Sequence, residues 1–225
     1  MNCEMIEPGI FKGLPVKAFF TTKAFPYEEG LLKTQLRVEA VYFPIQKHTD
    51  KVLVIEYDLE PRIADAVVTN RKGLAIGVRV ADCVPILLYD VRKKVAGAVH
   101  AGWRGTVDGI IRKTLVMFRQ QYNSAPEDVI VAVGPSIQGS CYVVGHEVAD
   151  AVTKTTGEGE YVSMRGENLY VDLPSANRLQ ALNEGIRPEN IWVSNECTHC
   201  LPDKFHSYRF AKGAAGRQYG IIAVV

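Results

Sequence analysis

The sequence lacks a long apolar run: no stretch approaches the roughly 20 residues with which a helix crosses a bilayer. A helical membrane protein is therefore excluded. An excess of either charge is missing too. Twenty-six Lys and Arg against 25 Asp and Glu leave a formal net charge of +1. A general nucleic-acid binder needs surplus cations to displace phosphate counterions, so that class is set aside. There is no low-complexity tract and no repeat of fixed period, which removes repeat arrays. An even set of cysteines is also absent. The five, Cys3, Cys83, Cys141, Cys197 and Cys200, do not suggest a disulfide framework. They remain as core fillers, metal ligands or nucleophiles. The opening "MNCEMIEPGIFKGL" lacks the basic-then-apolar pattern of a signal peptide, and the expected location is the cytoplasm.

What is present is a chain of 225 residues with 47% hydrophobic content, enough for a sizeable core. One large domain over residues 1–225 is the expectation. Val, Ile, Tyr and Phe content predicts strands at 16–22, 51–57, 65–69, 73–80, 84–90 and 94–100. Further strands are predicted at 128–134, 141–145, 168–172, 190–195 and 219–225. A helix over 106–121 would place Val107, Ile111, Leu115 and Phe118 on one face. Weaker helices fall at 146–154 and 174–185, the latter with Ser175 as a cap and a Leu179, Leu182, Ile186 stripe. Residues 27–41 fit helix and strand equally poorly. Many strands with few helices indicate an α+β fold with mixed or antiparallel sheets.

Chemistry concentrates in "ADCVPILLYDVRKKVAGAVHAGWRG", residues 81–105. Two apolar runs flank Asp90-Val91-Arg92-Lys93, the pattern of a β-hairpin. A turn centred between Val91 and Arg92 would put Cys83 directly opposite His100, with Cβ atoms about 4.5–5.5 Å apart. A thiol facing an imidazole is a pair of metal ligands or a nucleophile and its base. Taken singly, Cys83 would be a small core residue and His100 a satisfied core histidine. His48, before Thr49-Asp50, would complete a Cys-His-His set. Three protein ligands with an open fourth position are how catalytic zinc is held. Asp50 or Asp82 could orient an imidazole ligand. At the corner Gly102-Trp103-Arg104-Gly105-Thr106, the glycines permit close backbone approach and Thr106 could cap the next helix. Its free N–H groups beside Arg104 would form an anion site.

Other segments carry less. "ECTHC" (196–200) is half of a structural zinc site, and packing cysteines are the simpler reading. The glycine-rich stretch 133–148 could line a pocket or form a plain turn. His206, Tyr208, Arg209 and Arg217 could line a site or sit on a surface hairpin.

"KHTDKV", "VADCVPILLYD", "AVHAGWRGT", "VAVGPSI", "YVVGHEV" and "FHSYRF" with "GRQYGIIA" together resemble the laccase-domain family. This family is also described as multicopper polyphenol oxidoreductase-like, and as related to purine nucleoside phosphorylases and a peptidoglycan editing factor. The resemblance runs from about His48 to the C-terminus. Residues 81–90 and 99–106 are its specific segments. It implies a four-layer α/β/β/α fold with mixed β-sheets. It also implies a metal, most often zinc, on positions matching His48, Cys83 and His100. Implied activities are phosphorolysis of adenosine, inosine, guanosine and methylthioadenosine, and deamination of adenosine. Copper-dependent phenol oxidation and editing of peptidoglycan precursors are the alternatives. Five histidines in total are too few for a multinuclear copper centre, whereas one Cys-His-His site suits zinc. On this reading Cys83, His100 and Asp82 are the catalytic candidates. Gln46, Trp103, Arg104, Thr106 and Arg209 would contact substrate, with Arg104 on phosphate. The partners are purine nucleosides and phosphate. The N-terminal part departs from the family pattern, with Thr21-Thr22-Lys23-Ala24 in place of a Thr-Arg-x-Gly-Gly segment. Thr49 likewise follows His48 where glycine is common.

Overall fold

A computed structural model describes residues 5–25 and 27–225; Cys3 lies outside them. The strands are β1 (Met5–Ile6), β2 (Val16–Thr21), β3 (Ala40–Tyr42), β4 (Val52–Val54), β5 (Ala66–Thr69), β6 (Leu74–Val80) and β7 (Val84–Asp90). They continue as β8 (Val95–Ala101), β9 (Val129–Val133), β10 (Val143–Val144), β11 (Val162–Arg165), β12 (Asn168–Val171), β13 (Ile191–Val193) and β14 (Gln218–Val224). The helices are α1 (Glu29–Leu36), α2 (Trp103–Val107), α3 (Ile110–Tyr122), α4 (His146–Thr156) and α5 (Leu173–Asn183). One sheet runs β1-β2-β14-β6-β3 and a second runs β13-β9-β7-β8-β5-β4. A small third sheet runs β10-β12-β11. The β3/β6, β4/β5 and β13/β9 pairs are parallel and the other pairs antiparallel, so both large sheets are mixed.

Three apolar clusters define the layers. Leu32 and Leu36 of α1 cover the outer face of the five-stranded sheet through Phe19, Ile221 and Ala223. Phe20, Ile76, Val78 and Ile222 face Leu87, Tyr89, Ala96 and Ala98 between the two large sheets. On the far side, Val84, Ile86, Leu88 and Val99 pack against Ile111, Leu115 and Phe118 of α3 and Val148 and Val152 of α4. This is the expected α/β/β/α order. It explains why β7 is apolar at nearly every position: a strand covered on both faces loses the alternation of a half-exposed one. Among the described residues no helix is long and apolar enough to cross a membrane.

Several local expectations change. The helix predicted over 106–121 starts earlier and breaks in two, because Gly109 adopts φ +68° between α2 and α3. Residues 27–41 divide into α1 and β3. The runs 51–57, 141–145 and 190–195 keep only short strands. In α5 the cap is Asp172, whose carboxylate accepts from the Ser175 N–H at 2.8 Å. Its buried stripe is Leu173, Ala176, Asn177, Gln180 and Ala181, with Leu179 and Leu182 only half-buried.

The hairpin register also differs. Pro85 pairs with His100 and Asp90 with Val95, so the loop has four residues, 91–94. Asp90 Oδ1 accepts from Arg92 N and Lys93 N, and Lys94 takes φ +55°. The loop is two residues longer than a tight hairpin turn. Cys83 therefore lies diagonal to His100, not opposite it. A shift of two preserves the face, whereas a shift of one would have separated the pair.

Close approach between the sheets depends on Gly134, where a Cβ would overlap the Phe20 ring. Gly134→Ala is expected to destabilise the fold by about 1–3 kcal/mol, measured by urea unfolding. Phe20→Leu in the same chain should recover part of that loss. Independent, additive effects would rule out the contact as the cause.

Candidate functional site

The site lies where the chain crosses between the two large sheets. β6 ends in the five-stranded sheet at Val80 and β7 begins in the six-stranded sheet at Val84. The link Ala81-Asp82-Cys83 turns this corner with Asp82 at φ +83°, a costly conformation for a non-glycine residue. Asp82 is held there by three donors. Its carboxylate accepts from Thr198 Oγ1 at 2.6 Å, Arg209 N at 2.7 Å and Ser207 Oγ at 3.1 Å. Asp82 lines the cleft, but its carboxylate gathers the C-terminal loop and does not orient an imidazole. Asp50, the other acceptor considered, pairs with Lys113.

The imidazole partner is Asp65, which sequence reasoning missed. The β5/β8 register sets Asp65 directly opposite His100, and His100 Nδ1 meets Asp65 Oδ1 at 2.7 Å. The same buried carboxylate accepts from the N–H groups of Lys47 (3.2 Å), His48 (3.0 Å) and Thr49 (2.6 Å), and from Thr49 Oγ1 (2.8 Å). Thr49 thus adds a hydroxyl donor. These bonds hold the 47–49 turn, in which His48 has φ +57°, and aim the His48 ring at the corner. The signal in the sequence was an Asp at the head of the apolar run "DAVVT".

His48, Cys83 and His100 present donor atoms that all lie within 4.8 Å of one another. The Cys83 Sγ to His48 Nε2 distance is 4.0 Å and the two histidine rings are 4.9 Å apart, edge to face. With Nδ1 committed to Asp65, Nε2 is the His100 nitrogen left to face the cluster. A Cβ at Gly102 would come within 3.1 Å of Cys83 Sγ and 3.2 Å of the His48 ring, so this glycine keeps the space among the donors open. Gly105 meets only ordinary contacts.

The charges are strongly coupled. Burial pushes the Cys83 thiol up, but the positive charge and hydrogen bond of His100, then those of His48, bring it down to about 6. Burial pushes His100 down, but Cys83 and Asp65 raise it to about 9. Burial raises Asp65, but the His100 and Thr49 hydrogen bonds hold it at about 2. Without a metal the trio is therefore a thiolate, an imidazolium and a carboxylate. Such a set can accept a soft or borderline cation with loss of protons, or serve as an ion-pair nucleophile.

A cleft of about 810 Å³ opens onto this cluster, within the range of small-molecule sites. Arg79, Arg104, Arg209 and Arg217 line it. Three of these guanidiniums lie over aromatic faces: Arg79 over Phe43 at 4.5 Å, Arg104 over Trp103 at 4.3 Å and Arg209 over Tyr142 at 5.2 Å. Stacking holds the cations at the wall, and the Arg209 guanidinium is tied further by Nη1 and Nη2 donating to the Val143 carbonyl at 3.2 and 3.3 Å. Trp103 thus acts first as a platform for Arg104. Arg79 was not foreseen, whereas Tyr142 falls in the 133–148 stretch, one of whose two readings was a pocket lining.

Other expected substrate contacts are placed differently. Gln46 lines the cleft, but its amide is bonded both ways to the Arg79 backbone at 2.8 Å. Thr106 is fully buried and does not cap a helix. Its Oγ1 accepts from Asn177 Nδ2 at 2.8 Å, facing α5. The cap position is Gly102, and α2 spans only five residues, too short for a strong dipole. Positive charge at the corner therefore comes from side chains. Tyr208 and Ile137 line the cleft, whereas the His206 N–H turns to Gln218.

Two outcomes check this geometry. Folding lowers Asp65 from its ordinary 3.8 to about 2. Its stabilisation is therefore complete above the ordinary value and lost as pH falls toward the lower one. Asp65→Asn should cost about 2–4 kcal/mol near neutrality, with a gap to wild type that narrows below about pH 4 in urea unfolding. A gap independent of pH would remove the carboxylate's charge from the account. In metal-free protein, alkylation of Cys83 by iodoacetamide, followed by peptide mapping, should have its midpoint near 6 and not 9. His100→Ala should move that midpoint up, and an unmoved midpoint would rule out the ion pair.

A family described as multi-copper polyphenol oxidoreductase laccase matches residues 28–225. A Clostridium acetobutylicum protein named purine nucleoside phosphorylase is 36% identical over 193 residues, covering 85% of this chain and 80% of its own. A protein of the same name from Aquifex aeolicus is 42% identical over 173 residues, covering 76% and 77%. The crystal structure of YlmD from Geobacillus stearothermophilus matches with a TM-score of 0.88 at 27% identity, covering 96% of this chain and 93% of that one. The chain belongs to the multi-copper polyphenol oxidoreductase laccase family.

Proposed function

We propose that residues 1–225 act as one zinc-dependent purine nucleoside phosphorylase that also cleaves methylthioadenosine and deaminates adenosine. The observation that carries this reading is one cleft joining the Cys-His-His cluster to four arginines. The names of the relatives in Clostridium acetobutylicum and Aquifex aeolicus support it.

In phosphorolysis a phosphate oxygen bonds C1′ of the ribose as the C1′–N9 bond breaks, and the purine leaves carrying a proton. Arg104 binds the phosphate, with Arg79, Arg209 and Arg217 around it. Burial pushes the Tyr142 phenol up to about 12, so it stays protonated and offers a donor to the cleft. Asp82 fixes the Arg209 backbone, and Asp65 bonds the His100 imidazole and the His48 backbone N–H. His48, Cys83 and His100 would hold the zinc ion, which when bound supplies Lewis-acid polarisation of an oxygen, the chemistry deamination draws on. The donor set fits zinc: one thiolate, two imidazoles and the space kept by Gly102. A laccase-type multinuclear centre needs several histidines. Among the described residues, the two His/Cys clusters contain two histidines and one.

A second reading is a cysteine hydrolase acting on a peptidoglycan precursor, with Cys83 as nucleophile and His100 as base. The lowered Cys83 thiol favours it. A product assay separates the two. Zinc-loaded protein with adenosine and phosphate is expected to give adenine and ribose 1-phosphate, with inosine as a second product. Arg104→Ala should raise the KM for phosphate by about 10–100-fold. Unchanged phosphate dependence would remove Arg104 from that role. Full zinc without turnover would instead indicate a non-enzymatic metal-binding protein. Hydrolysis by metal-free protein would favour the cysteine mechanism.

A further inference from the structure

The Cys197-x-x-Cys200 pair reads in sequence as half of a structural metal site. The fold supplies the other half. Cys141, in the connection from β9 to β10, brings its Sγ to 3.0 Å from Cys200 Sγ. A ring nitrogen of His199 joins them, all three donors lying within 4.8 Å of one another. The buried Cys197 thiol, three residues before Cys200, accepts the Gln138 N–H at 3.5 Å. Backbone pairing fixes the two segments together. Ser136 and Cys197 form a parallel bridge, and Thr198 N–H donates to the Ser136 carbonyl at 3.1 Å.

We propose that Cys141, Cys197, His199 and Cys200 form a second, structural zinc site, separate from the cleft. Zinc bonds of about 2.3 Å to sulfur and 2.0–2.1 Å to nitrogen set tetrahedral donors roughly 3.5–3.8 Å apart. For Cys141, His199 and Cys200 the 3.0 Å separation and the 4.8 Å limit bracket that spacing; the Cys197 sulfur, outside that group of three, would move in as the fourth donor. The four donors are three sulfurs and one imidazole, a closed structural set. A Cys141–Cys200 disulfide would use two sulfurs and leave a third thiol and an imidazole beside it without a task.

The position gives the site its purpose. The 134–142 segment carries Ile137 and Tyr142 to the cleft, and the 194–217 segment carries Tyr208, Arg209 and Arg217. The second segment also carries Thr198 and Ser207, which hold Asp82. An ion at their junction clamps two walls of the cleft from behind.

Cobalt substitution of the reduced full chain tests this apart from the cleft. Cys83→Ser protein should still bind one cobalt per chain, with a thiolate-to-cobalt charge-transfer band. That band should vanish in Cys83→Ser/Cys200→Ser and weaken in Cys83→Ser/His199→Ala, with circular dichroism confirming the fold. Cadmium-113 NMR of the wild-type chain needs no variant, and should show one resonance at the far-downfield position of a thiolate-rich site. The proposal is overturned if Cys83→Ser protein binds no cobalt, if the band survives loss of Cys200, or if that cadmium resonance is missing. A Cys141–Cys200 disulfide mapped in fresh protein, with no cobalt taken up after reduction, also overturns it. Loss of the cleft metal alone, with the Cys83→Ser band intact, would count against the proposed enzyme and leave this site standing.

Discussion

The buried carboxylate of Asp65 is the interaction on which the site depends. Burying a lone carboxylate is strongly unfavourable unless donors surround it. Here three backbone N–H groups, one hydroxyl and one imidazole do so. That requirement draws the 47–49 turn onto the edge of the six-stranded sheet and brings His48 to a cluster otherwise made by β7 and β8. It also fixes which nitrogen of His100 faces Cys83. The two histidines, 52 residues apart in the chain, are thus ordered by one group that itself faces neither the cleft nor solvent.

The sandwich explains why the chemistry sits at its end. Between the sheets, Leu87, Ala96 and Ala98 form an apolar layer that leaves no room for water. Polar side chains on the same inward faces become usable only where the strands run out. Cys83 and His100 occupy those last positions. Asp82 then ties the corner to the long connection before β14. Arg209 reaches the cleft because its own N–H is held there. The stacked arginines show a similar economy of parts, since aromatic rings that would have served a base as platforms instead steady the cations.

Local pattern made much of the fold legible. The predicted 84–90 run is β7 to the residue, and 94–100 is β8 shifted by one, because a doubly covered strand reads as a near-continuous apolar run. The hairpin register was not legible. Loop length is set by the Asp90 side chain and by Lys94 entering left-handed space, and composition encodes neither. The break at Gly109 went unread for a related reason, since a glycine within a periodic run is tolerated as often as it stops a helix. Thr106 was misplaced as a consequence: with the helix starting three residues earlier, its hydroxyl points to α5 and away from the corner.

The sequence by itself determined which side chains form the candidate site: His48, Cys83 and His100, picked out by type, spacing and family likeness, lie together, and Arg104 lines the same cleft. Tertiary structure decided their partners. Asp65, Arg79 and Tyr142 reach the site by strand pairing and sheet stacking across tens of residues, and Cys141 reaches Cys200 across 59. Short-range pattern records which face a residue takes. It does not record which distant segment comes to lie against that face, because that is settled by where buried charge and apolar surface can all be satisfied at once.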